Sequence, residues 1–166
     1  MFNEYNDNMI KILFVCHGNI CRSPMAEYIF KDMVRKAGLE DEFEIHSAAT
    51  SREEIGNDIY PPAKAKLREK GIPFDRHHAR QITMTDCSYY DYIILMDDFN
   101  IRNFNRMFDG AYTDKVHLLL DFSDDPGNVT DPWYTGNFET TYQDIVKGCK
   151  ALLYSAIQSV NAASLS

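Results

Sequence analysis

No apolar run in this chain approaches the length of a membrane-spanning helix, so no membrane partner is expected. None of the four cysteines, at 16, 21, 87 and 149, stands in a Cys-x-x-Cys pair. That spacing argues against a zinc site, and free thiols fit a reducing compartment better than a disulfide scaffold, so the cytoplasm is the expected location. Positive charge is scarce: 17 Lys and Arg face 25 Asp and Glu, a net charge of −8. Nucleic acid is therefore not an expected partner. An anionic ligand would have to be captured by a local field rather than by the protein's overall charge. No repeat, low-complexity tract or linker divides the 166 residues. Residues 10–166 read as a single domain, and residues 1–9 as a flexible extension whose polar, acidic start is no secretory signal. The glycosylation sequon Asn128-Val129-Thr130 is discounted, because a cytosolic chain does not meet that machinery.

What the chain does have is alternation. Short apolar runs at 11–15, 43–47, 92–96 and 116–120 read as buried strands. Between and after them, 24–37, 61–70, 99–108 and 138–160 read as helices, with a helical turn at 83–88. Gly38 stops the first of these helices, and Pro61 and Gly71 bracket the second. Strands that are apolar throughout belong to a parallel sheet covered on both faces. The pattern predicts an α/β fold, a doubly wound four-stranded parallel sheet flanked by helices. Ligands of such sheets sit at the carboxyl ends of the strands.

At the end of the first strand stands Val15-Cys16-His17-Gly18-Asn19-Ile20-Cys21-Arg22-Ser23-Pro24. A loop from strand end to helix start gathers backbone N–H groups around an anion. A cysteine in so positive a setting ionises readily, and the thiolate is the nucleophile. Arg22 offers a planar fork of donors matched to phosphate oxygens. Cys16 and Arg22, six positions apart, thus point to attack on a phosphate ester. Gly18 and Asn19 suit a loop with left-handed backbone angles, and Ser23 is placed to hydrogen-bond the sulfur and cap the helix. His17, Ile20 and Cys21 complete the phosphate-binding loop. The reaction also needs an acid for the leaving group and a base for water. Asp131, in Asp131-Pro132-Trp133-Tyr134, is the candidate, with Trp133 and Tyr134 as cleft walls.

The chain resembles the low-molecular-weight protein tyrosine phosphatases. The motif at 15–24 carries the likeness, with Ser47-Ala48-Ala49-Thr50-Ser51, Gly71-Ile72-Pro73, His77-His78-Ala79-Arg80-Gln81, the segment 91–97 and Asp131-Pro132-Trp133-Tyr134, in the family's order. The resemblance implies Cys16 as nucleophile, Arg22 as phosphate binder and Asp131 as general acid and base, with no metal and no cofactor. It further implies that Ser47 and His77 brace Asn19, that Asp97 supports the loop, and that Cys21 can form a protective disulfide with Cys16 on oxidation. Expected partners are phosphotyrosine proteins, among them a bacterial tyrosine kinase, and inorganic phosphate or similar oxyanions in the loop.

Some positions bear on specificity. Relatives that act on phosphoarginine carry threonine where this chain has Ile20, so isoleucine favours an aromatic ester. Arg52 and Glu53 occupy a cleft-side loop that is often aromatic in relatives. His17 replaces a commonly apolar residue and is a candidate for pH-sensitive phosphate binding. Three rivals stand against the phosphotyrosine reading: an arginine phosphatase, a thiol-dependent arsenate reductase and a non-catalytic phosphotyrosine-binding module. The reductase needs two further cysteines close together to relay a disulfide, and Cys87 and Cys149 are far apart in sequence.

Overall fold

The computed structural model describes residues 9–164, so the extension expected over 1–9 lies, apart from Met9, outside the described residues. Four parallel strands, β1 (Ile10–Cys16), β2 (Phe43–Ala49), β3 (Tyr92–Leu95) and β4 (Val116–Leu118), form one sheet in the order β2-β1-β3-β4. Successive side chains of a strand point to opposite faces, and β1 divides accordingly. Ile12, Phe14 and Cys16 join one apolar cluster, while Leu13 and Val15 join another. Helices α1 (Arg22–Lys36), α2 (Pro61–Glu69) and α6 (Phe138–Ser164) cover the first face through Met25, Ile29, Phe30, Leu67, Ile145 and Leu152. The second face is covered by α3 (Met84–Tyr89) and α4 (Asp98–Phe108), through Cys87 and Phe104. A one-turn helix, α5 (Pro132–Thr135), precedes α6. Among the described residues no helix is long and apolar enough to cross a membrane.

The chain winds from β1 out to β2, then crosses back to β3 on the other side of β1. The reversal leaves a crevice between the carboxyl ends of β1 and β3. Cys16 ends β1, and Asp97 lies two residues past Leu95, so the two loops that can meet there carry the residues singled out above.

Element ends differ from expectation in ways that matter locally. Helix α1 begins at Arg22 rather than at 24, because Arg22 and Ser23 enter the first turn ahead of Pro24. Proline is tolerated there, since the first-turn N–H groups have no helical partner. Cys21, not Ser23, is the capping residue, and no side chain caps that end, so the capping role expected of Ser23 is corrected. The fourth strand stops at Leu118 because β3 ends opposite it at Leu95. Leu119 and Leu120 stay buried, but in a 3-10 turn over Leu119–Phe122 that folds onto α6.

Candidate active site

The loop between β1 and α1 curls around the sulfur of Cys16. Asn19 makes the turn with φ of +61°, while Gly18 is not left-handed; the expectation that both share that conformation is corrected. A short amide side chain tolerates this region by bonding locally, and Asn19 does so on every side. Its Nδ2 donates to Ser23 Oγ at 2.7 Å and to Ser47 Oγ at 3.0 Å, and its Oδ1 accepts from the Arg80 backbone N at 3.2 Å. His77 Nε2 donates to the Asn19 carbonyl at 2.6 Å. Gly18 instead passes under Glu54, whose Cγ would stand 3.4 Å from a Cβ there.

Two groups reach the sulfur directly. The Asn19 backbone N–H donates to Cys16 Sγ at 3.3 Å, and Ser23 Oγ lies 3.0 Å away. Ser23 Oγ accepts from Asn19, and its single proton has two acceptors in reach, the Cys16 sulfur at 3.0 Å and the Ala48 carbonyl at 3.4 Å, of which the sulfur is the nearer. The network continues outward: Ser47 Oγ donates to Glu27 Oε1 at 2.6 Å, and Glu27 pairs with Lys31 at 2.5 Å. His77 is held in turn by Asp58, whose Oδ1 accepts from the His77 backbone N at 3.0 Å. Burial opposes ionisation of Asp58, but hydrogen bonds from Lys64 and from the His77 and Ile59 backbones outweigh it and hold its pKa down at about 2.

Arg22 is 3% exposed, and its guanidinium faces three acceptors. Nη1 donates to Asp97 Oδ2 at 2.7 Å and to the Val129 carbonyl at 2.9 Å, and Nη2 donates to Asp131 Oδ2 at 3.3 Å. Burial works against its charge, but the acidic groups of Cys16, Asp97 and Asp131 around it prevail, and its pKa lies above the ordinary value. Asp97 has a second task, as its Oδ1 accepts from Asn100 N and caps α4. Asp131 caps α5 by accepting from Trp133 N at 3.0 Å. Burial, with the acidic groups of Cys16 and Asp131 nearby, pushes the Cys21 thiol up to about 12.

These residues line a cavity of about 400 Å³ with Cys16, Cys21 and Arg22 at its base. Trp133 and Tyr134 form one wall, 57% and 85% exposed. Opposite, His17 Nε2 donates to Glu53 Oε2 at 3.0 Å, and its ring lies 6.1 Å from the Phe99 ring, centre to centre. Ile20, Glu54 and Phe99 complete the rim. Arg52 is absent from it: its Nε donates to Gln81 Oε1 at 2.8 Å on the protein's outside, so its assignment to the cleft is corrected, and Glu54 takes that place.

Sequence reasoning missed Phe99, Glu54, Glu27, Asp58 and the Val129 carbonyl. Phe99 and Glu27 left a faint signal. Phe99 follows the capping Asp97 by two residues, and Glu27 lies one helical turn beyond Ser23. The others depend on loops that only the fold brings together.

A doubly wound sheet with a Cys-x5-Arg loop at its switch point, faced by an aspartate, defines a class of cysteine-based phosphatase folds. Comparison gives the particular family: the model of the low molecular weight phosphotyrosine protein phosphatases matches residues 11–164, and the chain belongs to that family. Over 149 residues it is 46% identical to the low molecular weight protein-tyrosine-phosphatase YfkJ of Bacillus subtilis, covering 89% of this chain and 96% of that one. The crystal structure of YfkJ superposes with a TM-score of 0.88 at 44% identity, covering 91% of this chain and 96% of that one. The human low molecular weight phosphotyrosine protein phosphatase is 41% identical over 150 residues, covering 87% of this chain and 94% of its own length. A Drosophila arginine phosphatase superposes with a TM-score of 0.78 at 28% identity, covering 88% of this chain and 97% of that one.

Proposed function

We propose that this phosphatase hydrolyses phosphotyrosine in proteins through a phosphocysteine, with Cys16, Arg22 and Asp131 carrying the chemistry. Cys16 Sγ attacks phosphorus, and the S–P bond forms as the P–O bond to the tyrosine breaks. Asp131, which leaves Arg22 to the phosphoryl group and takes up a proton as the substrate binds, gives that proton to the leaving phenolate oxygen. The carboxylate so formed then takes a proton from water, whose oxygen attacks the phosphocysteine and releases phosphate and the thiolate. Arg22 and the loop N–H groups balance charge on the phosphoryl oxygens throughout, the dominant contribution in phosphoryl transfer.

The observation that carries this reading is the position of Arg22 between Asp97 and Asp131. Its two Nη1 bonds, at 2.7 and 2.9 Å, fix the guanidinium, while the Nη2 contact to Asp131 is the longest at 3.3 Å. A phosphoryl oxygen can take over that weaker contact, freeing Asp131 to face the ester oxygen. Ser23 and the Asn19 N–H, already aimed at the sulfur, position the nucleophile. Ser47 and His77 keep Asn19 in place.

Phosphotyrosine is favoured over phosphoarginine by the walls. Ile20 supplies an apolar edge and no hydroxyl for a guanidinium, and Trp133, Tyr134 and Phe99 suit an aryl ring. The fold alone does not choose, since an arginine phosphatase shares it. Free thiols at all four cysteines support a cytoplasmic setting, where a tyrosine kinase is a fitting substrate. Inorganic phosphate, the product, is expected to compete at the loop.

Initial rates on a phosphotyrosine peptide and on phosphoarginine test the reading. Fast turnover of the peptide, abolished in Cys16→Ser and slowed about 10²- to 10⁴-fold in Asp131→Asn, is the expected result. Preference for phosphoarginine would overturn the substrate while leaving the phosphocysteine chemistry intact.

A further inference from the structure

The catalytic cleft does not end at Trp133. Trp133 also borders a second, open groove of about 590 Å³, lined by Tyr60, Pro62, Pro132, Trp133, Gly136 and Phe138. Trp133 is a wall of both. No charged side chain lines the second groove, although the chain is strongly acidic. Its aromatic rings are packed before anything binds: Tyr60 lies 5.2 Å from Trp133 and 6.3 Å from Phe138, centre to centre. It is also tied to the phosphate loop, because the Tyr60 backbone N donates to the Ile20 carbonyl at 2.9 Å. Pro62 stands exposed in the first turn of α2, a position that stiffens the rim and leaves no amide unsatisfied.

We propose that this groove is a substrate subsite that receives a bulky apolar side chain two residues from the phosphotyrosine. The inference rests on the phosphotyrosine reading above and extends it. Geometry sets the spacing. Carbon atoms in contact with the two faces of an indole are about 7 Å apart, roughly twice the optimal separation of a carbon pair. An extended peptide rises about 3.3 Å per residue, and alternate side chains point the same way. A residue two positions from the phosphotyrosine therefore faces the enzyme beyond the shared Trp133, while its immediate neighbours face away. Partial burial of a phenylalanine or leucine in an open groove should raise kcat/KM about five- to tenfold over alanine.

The test measures kcat/KM on phosphotyrosine peptides carrying Phe, Leu, Lys or Ala at each position from −3 to +3. A second enzyme, Pro62→Glu, places a charge on the groove's rim. Pro62 is exposed, and an acidic residue suits the first turn of a helix, so this variant should fold. Turnover of p-nitrophenyl phosphate, which reaches only the catalytic cleft, is the control and should change less than twofold. The expected result is a preference for Phe and Leu at −2 or +2 in the natural enzyme, replaced by a preference for Lys in Pro62→Glu. Absence of any apolar preference, or a preference that Pro62→Glu leaves untouched, would overturn the subsite while the phosphotyrosine reading stands. Phosphoarginine turnover with none on any of the peptides would overturn both.

Discussion

Asp97 shows how much one side chain can hold. One oxygen accepts from Arg22 and the other caps α4, so the residue fixes a charge at the base of the cleft and starts the helix that carries Phe99. The two tasks separate by substitution. Asparagine caps about as well as aspartate but brings no charge to Arg22. Asp97→Asn should therefore cost about 2 kcal/mol, less than the 3–5 kcal/mol typical of breaking a fully buried pair, because the Asp97 side chain is 17% exposed. Asp97→Ala loses the cap as well and should fall about 1 kcal/mol lower. Urea unfolding of both variants measures the gap, and equal stabilities would show that the cap contributes nothing. The cysteines allow a second check at this scale. Burial pushes Cys21 up to about 12 and Cys87 to about 11, and it raises Cys149 as well. At pH 7.5 iodoacetamide is expected to modify Cys16 alone, with phosphate protecting it; peptide mass mapping that found Cys21 alkylated would contradict this.

Among the elements, those with a strong local pattern were legible in the sequence. Apolar runs such as Tyr92–Leu95 gave the parallel sheet, and Gly38 and Pro61 marked helix ends, because burial and backbone stereochemistry act within a few residues. The phosphate loop was legible for the same reason: Cys16 to Ser23 is contiguous. What could not be read depended on partners distant in sequence. Leu119 looks like strand, but β3 offers no residue to pair with it, so it turns. Arg52 looks like a cleft residue until Gln81 claims it. Gly148 is a further case, a glycine inside α6 where sequence alone suggests only a weak point. A Cβ there would lie 2.4 Å from Leu119 Cγ, so the buried Leu119 side chain fills the space that a side chain at 148 would need. Alanine would gain about 1 kcal/mol in helix propensity, but overpacking costs about 1–3 kcal/mol, and 2.4 Å belongs at the severe end. Gly148→Ala should thus be destabilised by about 1–2 kcal/mol in urea unfolding. Adding Leu119→Ala should cost less in that background than alone, because it relieves the clash.

For the molecule as a whole, acid is the expected weakness, and three carboxylates say why. Asp58 ties the segment before α2 to His77, Asp86 pairs with Arg80 ahead of α3, and Glu139 joins α6 to Lys66 and Lys70 of α2 and its end. Burial opposes ionisation of Asp58, but its hydrogen bonds prevail and bring it down to about 2. Hydrogen bonds from Lys70 above all bring Glu139 to about 2, and Asp86 is lowered against burial by Arg80 and Thr83. An unfolded chain has no such partners, so its carboxylates bind protons near pH 4, where the folded chain still refuses them. Between about pH 4 and pH 2 the unfolded state therefore holds more protons, and stability falls as pH falls. Above that window the full contribution is present. Because Asp58 also positions His77 beneath Asn19, its protonation loosens the phosphate loop along with the fold. Asp58→Asn should be less stable than the natural protein at pH 7, yet lose less on acidification, so that the two urea midpoints converge by about pH 2. Parallel curves from pH 7 to pH 2 would show that Asp58 is not one of the groups that carry the acid sensitivity.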